Sequence, residues 1–218
     1  MIKIENVVLP SPAQWTAILR GMRNPMNSWD KMDSYSTHIE NPETLETSEF
    51  EFFMGDDDYR LALKLAKAGK DHRKFLRMIS VIVDITAPMY WWKEFDTYKV
   101  GTVRNSCSTM HKIHSKEFTI DDFSYEKLDG EFREGFEEII RLLNIARANF
   151  NATKDKKYWW QMIQLLPSSY NQKSTLFLNY EVLASMYHSR KAHKLDEWRI
   201  FCEWIKSLPY SELITKEE

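Results

Sequence analysis

Residues 79–85 read Ile-Ser-Val-Ile-Val-Asp-Ile, and Thr-Ala-Pro follows directly at residues 86–88. The near-continuous β-branched run is typical of a strand, and it predicts burial on both faces of that strand. Its proline stands near the start of an aromatic-rich helix, which is expected to reach residue 99. The next stretch, residues 102–111, is polar and has neither a helical nor a strand period. It is therefore expected to form a loop.

The rest of the chain shows strand and helix patterns in turn. Ser11 is expected to cap the first helix, and Asp57 or Asp58 the second. The remaining elements are predicted as strands over residues 2–9 and 174–180, and as helices over residues 12–21, 58–69, 131–150, 158–166, 181–189 and 195–208. The helix over residues 131–150 is predicted to be strongly amphipathic, with one apolar side made of Phe132, Phe136, Ile139, Ile140 and Leu143. Residues 23–55 are expected to form a long loop, and the residues after Pro209 a frayed tail. The predicted fold class is α/β (α+β), a single helix-rich domain over residues 1–218 with a central sheet.

Composition excludes several classes of partner. The chain carries 30 basic and 32 acidic residues, which leaves a net charge of −2. This balance gives no reason to expect a nucleic-acid polymer or an anionic membrane as a partner. The two cysteines, Cys107 and Cys202, are too few for a disulfide framework or a zinc site. No stretch reaches transmembrane length, and the first residues do not resemble a signal peptide, so a cytoplasmic location is expected.

Residues 87–111 are expected to form the functional centre, because ligands of α/β folds lie where strand ends meet loops. The groups there that could hold a phosphate or a polar heterocycle are Lys99, Thr102, Arg104, Asn105, Ser106, Cys107, Ser108 and Thr109. The alternative is an ordinary surface loop. The thiol of Cys107 is either a nucleophile whose pKa is lowered by nearby cations or a small buried apolar group.

Two further patterns have a plain structural interpretation. His111 and His114 are spaced for one helix face, but a metal site would need a third ligand, so solvated histidines are favoured over metal binding. The tryptophan pairs at residues 91–92 and 159–160 are expected to pack in the core, although such an edge could also stack on a flat ring. No Gly-x-Gly-x-x-Gly or Walker motif is present.

The frame of residues 87–110 resembles the flavin-dependent thymidylate synthase family. Members of that family have a strand, Ala-Pro, a helix that ends in Arg-His-Arg-x-x-Ser, and a loop that ends in Ser-x-Arg-Tyr. Here Ala-Pro is followed without a gap by Met-Tyr-Trp-Trp-Lys-Glu-Phe-Asp-Thr-Tyr-Lys-Val-Gly-Thr. The family's Arg-His-Arg falls on residues 97–99, its motif serine on Thr102 and its loop serine on Cys107.

A second block, residues 166–190, is similar to the family's Leu-Pro to Leu-Arg block. Asn179 falls on an asparagine that contacts the flavin, and Arg190 falls on the arginine that contacts the pyrimidine ring and helps to ionise it. Trp198 matches a tryptophan shortly after that arginine. Ahead of the strand, His72 lies where the family has a flavin-contacting histidine.

Several charged positions of the family are replaced in this chain. The family's cations fall on Thr97, Tyr98, Thr109, Ile163 and Glu181, and its acid ahead of the strand falls on Arg77. Each lost phosphate-binding arginine removes a charge-assisted bidentate contact of about 1.5–3 kcal/mol. Ordinary affinity for dUMP is therefore expected to be weak.

The resemblance implies methylation of dUMP, or of a related pyrimidine nucleotide, at C5. FAD would carry hydride from NADPH, and methylenetetrahydrofolate would give the one-carbon unit. It also implies a homotetramer with flavin sites shared between subunits. The implied catalytic residues are Arg190 and Cys107, and the implied cofactor-binding residues are His72, Tyr98, Lys99, Asn179 and Ser185. The implied substrate-binding residues are Glu94, Thr102, Arg104, Asn105, Ser106, Ser108 and Arg190, with no metal ligand. The alternative is a repurposed or inactive relative that binds a nucleotide or flavin without this chemistry.

Overall fold

The computed structural model describes residues 1–39 and 49–216. Its helices and strands, short 3-10 turns aside, are in chain order β1 (Lys3–Val8), α1 (Pro12–Arg23), β2 (Tyr35–Ile39), β3 (Glu49–Phe53), α2 (Asp56–Lys67), β4 (Ser80–Pro88), α3 (Met89–Phe95), β5 (Val103–Ser106), α4 (Thr109–Lys112), α5 (Gly130–Thr153), α6 (Lys156–Leu165), β6 (Asn171–Asn179), α7 (Tyr180–Arg190), α8 (Asp196–Lys206) and α9 (Glu212–Thr215). No helix in these ranges is both long and apolar enough to cross a membrane.

Two sheets organise the strands. The larger has the order β1-β4-β6-β5, and β2 pairs with β3 in an antiparallel ladder that places Tyr35 opposite Phe53. Helices supply most of the remaining structure. The predicted fold class, helix-rich with a central sheet, is confirmed.

Contacts divide the chain into two compact units. Unit 1 comprises Met1–Glu5, Asp84–Thr97 and Arg104–Thr175, and unit 2 comprises the rest of the chain. Strands β4 and β6 each contribute residues to both units. The expectation of a single domain over residues 1–218 stays a prediction.

The core of unit 1 is built on α5 and α6. Phe136 and Leu143 of α5 are buried together with Met162 of α6. The ring of Phe123 meets that of Phe136 edge-on, with centroids 5.3 Å apart. The predicted amphipathic face of α5 is confirmed at Phe136 and Leu143 but is wrong at Phe132, which is 75% exposed. Phe132 stands in the first turn of the helix, where little of the chain covers it.

The core of unit 2 is built on α1, α7 and α8. Trp198 and Phe201 of α8 are fully buried, and so are Leu19 of α1 and Leu183 of α7. The carboxyl-terminal segment packs onto α7, because the phenol of Tyr180 donates a 2.6 Å hydrogen bond to the Pro209 carbonyl. The predicted frayed tail is therefore wrong up to residue 216, since it forms α9.

The start of α1 follows the sequence prediction. Ser11 accepts a hydrogen bond from the Gln14 backbone, and the Gln14 side chain accepts one from the Ser11 backbone, which completes a capping box. The predicted cap of α2 is wrong, since α2 begins at Asp56 and its N-cap is Gly55. The carboxylate of Asp33 instead accepts hydrogen bonds from two backbone N–H groups of that first turn.

Asp58, one of the expected caps, has a different role. Its side chain is completely buried and forms an ion pair with Arg23, whose side chain is 4% exposed. The second carboxylate oxygen accepts backbone hydrogen bonds from Asp33 and Ser34, at 3.2 and 2.9 Å. This network joins the end of α1, the segment before β2 and the start of α2.

Strand β4 is not buried on both faces, contrary to the prediction. Its burial alternates: Val81, Val83 and Ile85 are fully buried, whereas Ile82 is 39% exposed. The uncovered face also carries Asp84, which accepts a 2.6 Å hydrogen bond from the hydroxyl of Thr175. The β-branched run reflects strand propensity rather than two-sided burial.

Four other predictions about the elements also change. The strand continues through residue 88, and α3 ends at Phe95 rather than at residue 99. The predicted loop at residues 102–111 contains β5 and the short helix α4. The predicted loop at residues 23–55 contains β2 and β3, and its residues 40–48 lie outside the described residues.

Candidate functional site

In unit 2 the structure brings Tyr98, Arg190 and Trp198 together. The Nε of Arg190, the last residue of α7, donates a 2.8 Å hydrogen bond to the phenol oxygen of Tyr98. Its guanidinium carbon lies 4.8 Å from the centre of the Trp198 ring and 5.6 Å from that of Tyr98. The two rings meet edge-on, with centroids 6.0 Å apart. The hydrogen bond and the two ring faces fix the orientation of a half-buried cation.

Asn179 connects this cluster to the start of α7. Its side-chain oxygen accepts a 3.0 Å hydrogen bond from the Val182 backbone, so it caps the helix. Its amide nitrogen lies 3.5 Å from the Gly101 carbonyl. Gly101 has φ +80°, and an added Cβ would lie 2.9 Å from that nitrogen, so only glycine fits. The hydroxyl of Thr102 donates to the Tyr98 carbonyl, which closes this turn.

The other residues that the resemblance assigns to a cofactor lie at the surface of unit 2. His72, Lys99 and Ser185 are all exposed. One chain alone therefore presents these side chains to solvent, and their predicted flavin contacts stay predictions.

A charged cluster beside Asn179 is not identified by sequence patterns. Glu181, in the first turn of α7, accepts hydrogen bonds from Arg77, the longer at 3.1 Å. Arg73 lies 3.7 Å from the same carboxylate. The hydrogen bond to Glu181 raises the pKa of the Arg77 guanidinium above its ordinary value. Because the partners are 104 residues apart, no local spacing reveals this pair.

Arg104 is the centre of a second group of contacts, all within unit 1. One terminal nitrogen lies 2.8 Å from both carboxylate oxygens of Asp96. The other donates to the Gln172 side chain at 2.6 Å, and Nε donates to the buried Ser174 hydroxyl at 3.0 Å. The guanidinium also lies 3.9 Å from the centre of the Trp92 ring. These contacts give Arg104 a structural role, with which its predicted phosphate contact would compete.

Cys107 is exposed, so the prediction of a buried thiol is wrong. Its backbone N–H donates to the Lys173 carbonyl at 2.9 Å, and its carbonyl accepts from the Gln172 side chain at 2.7 Å. The backbone is thus held against β6, and Cys107 is one of the residues that line a cavity of about 350 Å³. The predicted catalytic role of Cys107 stays a prediction.

The remaining substrate-binding candidates lie in unit 1 and have unequal environments. Ser108 accepts a 3.0 Å hydrogen bond from the His111 backbone and so caps α4. Asn105 and Ser106 are exposed on β5, and Glu94 is half-buried on α3. Of the four, only Ser108 lines the cavity.

The histidine and tryptophan predictions have mixed outcomes. His111 and His114 do not share a helix face, because α4 ends between them, and His114 packs edge-on against Phe150. No group of three or more potential metal ligands occurs in the part of the chain that the structure describes. The pair at residues 91–92 is buried as predicted, whereas Trp160 is 46% exposed.

No protein-family model and no curated protein matches the chain. Several solved structures, however, match it. Two of flavin-dependent thymidylate synthase ThyX from Helicobacter pylori, complexed with FAD and dUMP, match at 12% identity with TM-scores of 0.65 and 0.64. The matches cover 98% of this chain and 96% and 95% of those chains. The UMP/dUMP methylase PolB from Streptomyces cacaoi, bound with 5-Br dUMP, matches at 13% identity and a TM-score of 0.57, over 97% of this chain and 92% of PolB.

This chain shares the fold of ThyX. The likeness extends over nearly the full length of both proteins. At such low identity the match concerns the fold alone. The expected resemblance to flavin-dependent thymidylate synthases is thus confirmed for the fold.

Proposed function

We propose that this protein is a flavin-dependent enzyme that methylates dUMP, or a related pyrimidine nucleotide, at C5. The observation that carries the proposal is the cluster of Tyr98, Asn179, Arg190 and Trp198 in unit 2, on a fold shared with ThyX. Residues separated by 80 positions and more converge there, although several of the family's charged positions are replaced.

Arg190 is the residue whose geometry best suits the reaction. A guanidinium beside a pyrimidine ring stabilises the negative charge that develops on the ring when its C5 becomes nucleophilic. Such stabilisation needs a cation whose orientation is set in advance, and the Tyr98 phenol and the Trp198 ring supply that orientation. Tyr98 is in this respect a positioning residue.

The residues assigned to the flavin fit that group by chemistry. His72, Lys99 and Ser185 supply an imidazole, an ammonium and a hydroxyl, which bind diphosphate and ring heteroatoms. Their exposure agrees with a cofactor site that is shared between subunits, and we therefore also propose a homotetramer. When bound, the flavin would supply the hydride that reduces the transferred one-carbon group.

A second function, a nucleotide- or flavin-binding protein without this chemistry, is favoured by two observations. Each guanidinium nitrogen of Arg104 already has a partner in Asp96, Gln172 or Ser174, and Glu181 holds an ion pair where the family has a cation. Neither residue offers the charge that the family's nucleotide site would need.

Spectroscopy of the purified protein distinguishes the two functions. An enzyme should bind FAD, show flavin absorbance that bleaches with NADPH, and form methylated product from dUMP and methylenetetrahydrofolate. Arg190→Ala should then reduce turnover at least 100-fold, while the control Arg199→Ala, which removes an exposed arginine of α8, should not. Protein that takes up FAD but never forms product supports the second function, and protein that binds neither FAD nor a nucleotide contradicts both.

A further inference from the structure

A cavity of about 350 Å³ in unit 1 is a candidate ligand site outside the Arg190 cluster. Its volume is near the lower end of the range of about 300–1,000 Å³ for small-molecule sites, so it suits a mononucleotide better than a dinucleotide. Phe118 and Tyr170 give it an aromatic wall, and Asn171 and Thr109 add polar groups.

Three lysines line this cavity, and two of them are neutralised. Lys116 forms an ion pair with Asp122, and the Nζ of Lys173 lies 3.1 Å from an oxygen of Asp84. Within residues 1–39 and 49–216 Lys112 has no ion-pair partner. Asp121 also lines the cavity. An anion that enters would therefore meet one uncompensated ammonium group and one opposing carboxylate.

Lys112 lies close in sequence to a position where the family has an arginine and this chain does not. The family's arginine after the loop serine falls on Thr109, whose hydroxyl cannot neutralise a phosphate. Lys112 lies three residues further along α4, one helical turn away, and the two residues line the same cavity. Lys112 is thus the nearest lysine or arginine to Thr109 along α4.

Tyr170 adds a neutral donor to the same cavity. Burial, together with the negative charge of Asp122, raises the pKa of its phenol above the ordinary value. The hydroxyl therefore keeps its proton at neutral pH and can donate a hydrogen bond to an anionic or carbonyl oxygen.

We propose that Lys112 binds the phosphate of a pyrimidine nucleoside monophosphate in this cavity, and that it replaces the arginine missing at Thr109. This inference rests on the proposed function, because the nucleotide is the substrate assigned above. It adds a binding residue that the resemblance does not provide, in a chain that lacks several of the family's phosphate-binding arginines.

Calorimetric titration with dUMP and with deoxyuridine tests the proposal on the full-length protein. Lys112→Gln should weaken dUMP binding about tenfold or more and leave deoxyuridine binding unchanged, because only dUMP carries the phosphate. Thr109→Arg combined with Lys112→Gln should restore dUMP affinity by returning the charge to the family position. Asp121→Asn should strengthen it. Lys64→Gln, which removes an exposed charge from α2, is the matched control.

The possible failures are distinguishable. If the wild-type protein binds dUMP and Lys112→Gln behaves like Lys64→Gln, the role of Lys112 is refuted while the proposed function stands. If the wild-type protein binds no dUMP, both are refuted. Lys112 and Asp121 are exposed, and a circular dichroism spectrum with an unchanged unfolding midpoint confirms that each variant is folded.

Discussion

Arg77 donates a hydrogen bond of 3.1 Å to Glu181, and the resemblance assigns the opposite charge to each of these two positions. The family's acid falls on Arg77 and its arginine on Glu181. The charges at both positions are thus opposite to those that the resemblance implies, and the two side chains form an ion pair between the turn that precedes β4 and the first turn of α7. A carboxylate in the first turn of a helix also interacts favourably with the helix dipole.

Exchanging the two charges tests whether the ion pair contributes to the stability of the fold. Arg77→Glu and Glu181→Arg should each lower the free energy of unfolding, because each places two like charges side by side. The double variant should recover most of the loss. Urea denaturation of the four proteins gives the coupling as a double-mutant cycle. Additive single effects would show that the two side chains do not interact in solution.

Arg104→Ala should destabilise the protein by about 2 kcal/mol, because it leaves the buried Ser174 hydroxyl and the Gln172 side chain without their donor. Arg104→Lys should recover little of this loss, since an ammonium group cannot reproduce the fork of a guanidinium. Denaturant unfolding measures both variants, with Asn105→Ala on the same strand as the control. A stable Arg104→Ala variant with lost dUMP affinity would instead assign Arg104 to the phosphate.

Local patterns were sufficient for the elements whose signals lie within one stretch of chain. The cap of Ser11 and the amphipathic face of α5 depend on residues no more than four positions apart. The structure confirms the cap, and it confirms the buried face of α5 except at Phe132. Local patterns did not indicate the pairing of β2 with β3, because Tyr35 and Phe53 are 18 positions apart in a mostly polar stretch. Burial of Asp58 was missed for a similar reason, since its partner Arg23 is 35 residues away.

In the candidate site, too, the sequence identified residues but not the contacts between residues that are distant along the chain. The resemblance identified Tyr98, Asn179 and Arg190, which the structure brings into one unit. Sequence could not show that each guanidinium nitrogen of Arg104 has a partner, because Gln172 and Ser174 lie about 70 residues further on. Nor could it show that Lys112 and Thr109 face one cavity, because the short helix α4 was predicted as loop.

Disruption of the Arg23–Asp58 ion pair should have a large effect on stability. Both side chains are buried, so Asp58→Ala leaves an uncompensated guanidinium and should cost about 3–5 kcal/mol. It also removes the acceptor for the backbone N–H groups of Asp33 and Ser34. Guanidinium chloride unfolding measures this loss, and the exposed neighbour variant Asp57→Ala is the control. A cost below about 1 kcal/mol would mean that the carboxylate is hydrated in solution.

Tyr98→Phe separates the positioning of Arg190 from its charge. The variant keeps the ring but loses the acceptor of the 2.8 Å hydrogen bond, so unfolding free energy should fall by about 1–2 kcal/mol. If Arg190 contacts the nucleotide, affinity for dUMP should fall as well, because the guanidinium is less ordered. Calorimetry measures both quantities, with Tyr35→Phe, an exposed ring, as the control. Equal dUMP affinity in the two variants would remove Tyr98 from the site.

Asp33 should make part of the stability depend on pH. Burial acts to raise the pKa of its carboxyl, but hydrogen bonds from the backbone N–H groups of Asp57 and Asp58 outweigh burial and lower it. The folded protein thus binds this proton less readily than the unfolded chain, whose aspartate titrates near pH ~3.9. The stabilisation is present above that value and is lost as pH falls through the lowered folded pKa.

Asp33→Asn should therefore be less stable than the wild type at pH 7, and the difference should narrow steadily as the pH falls below about 4. Urea unfolding at several pH values gives the difference directly, and general acid destabilisation cancels because both proteins share it. Asp30→Asn, which changes an exposed acid in the preceding 3-10 turn, should show no such trend. A difference that is independent of pH would mean that the carboxylate does not cap α2 through its charge.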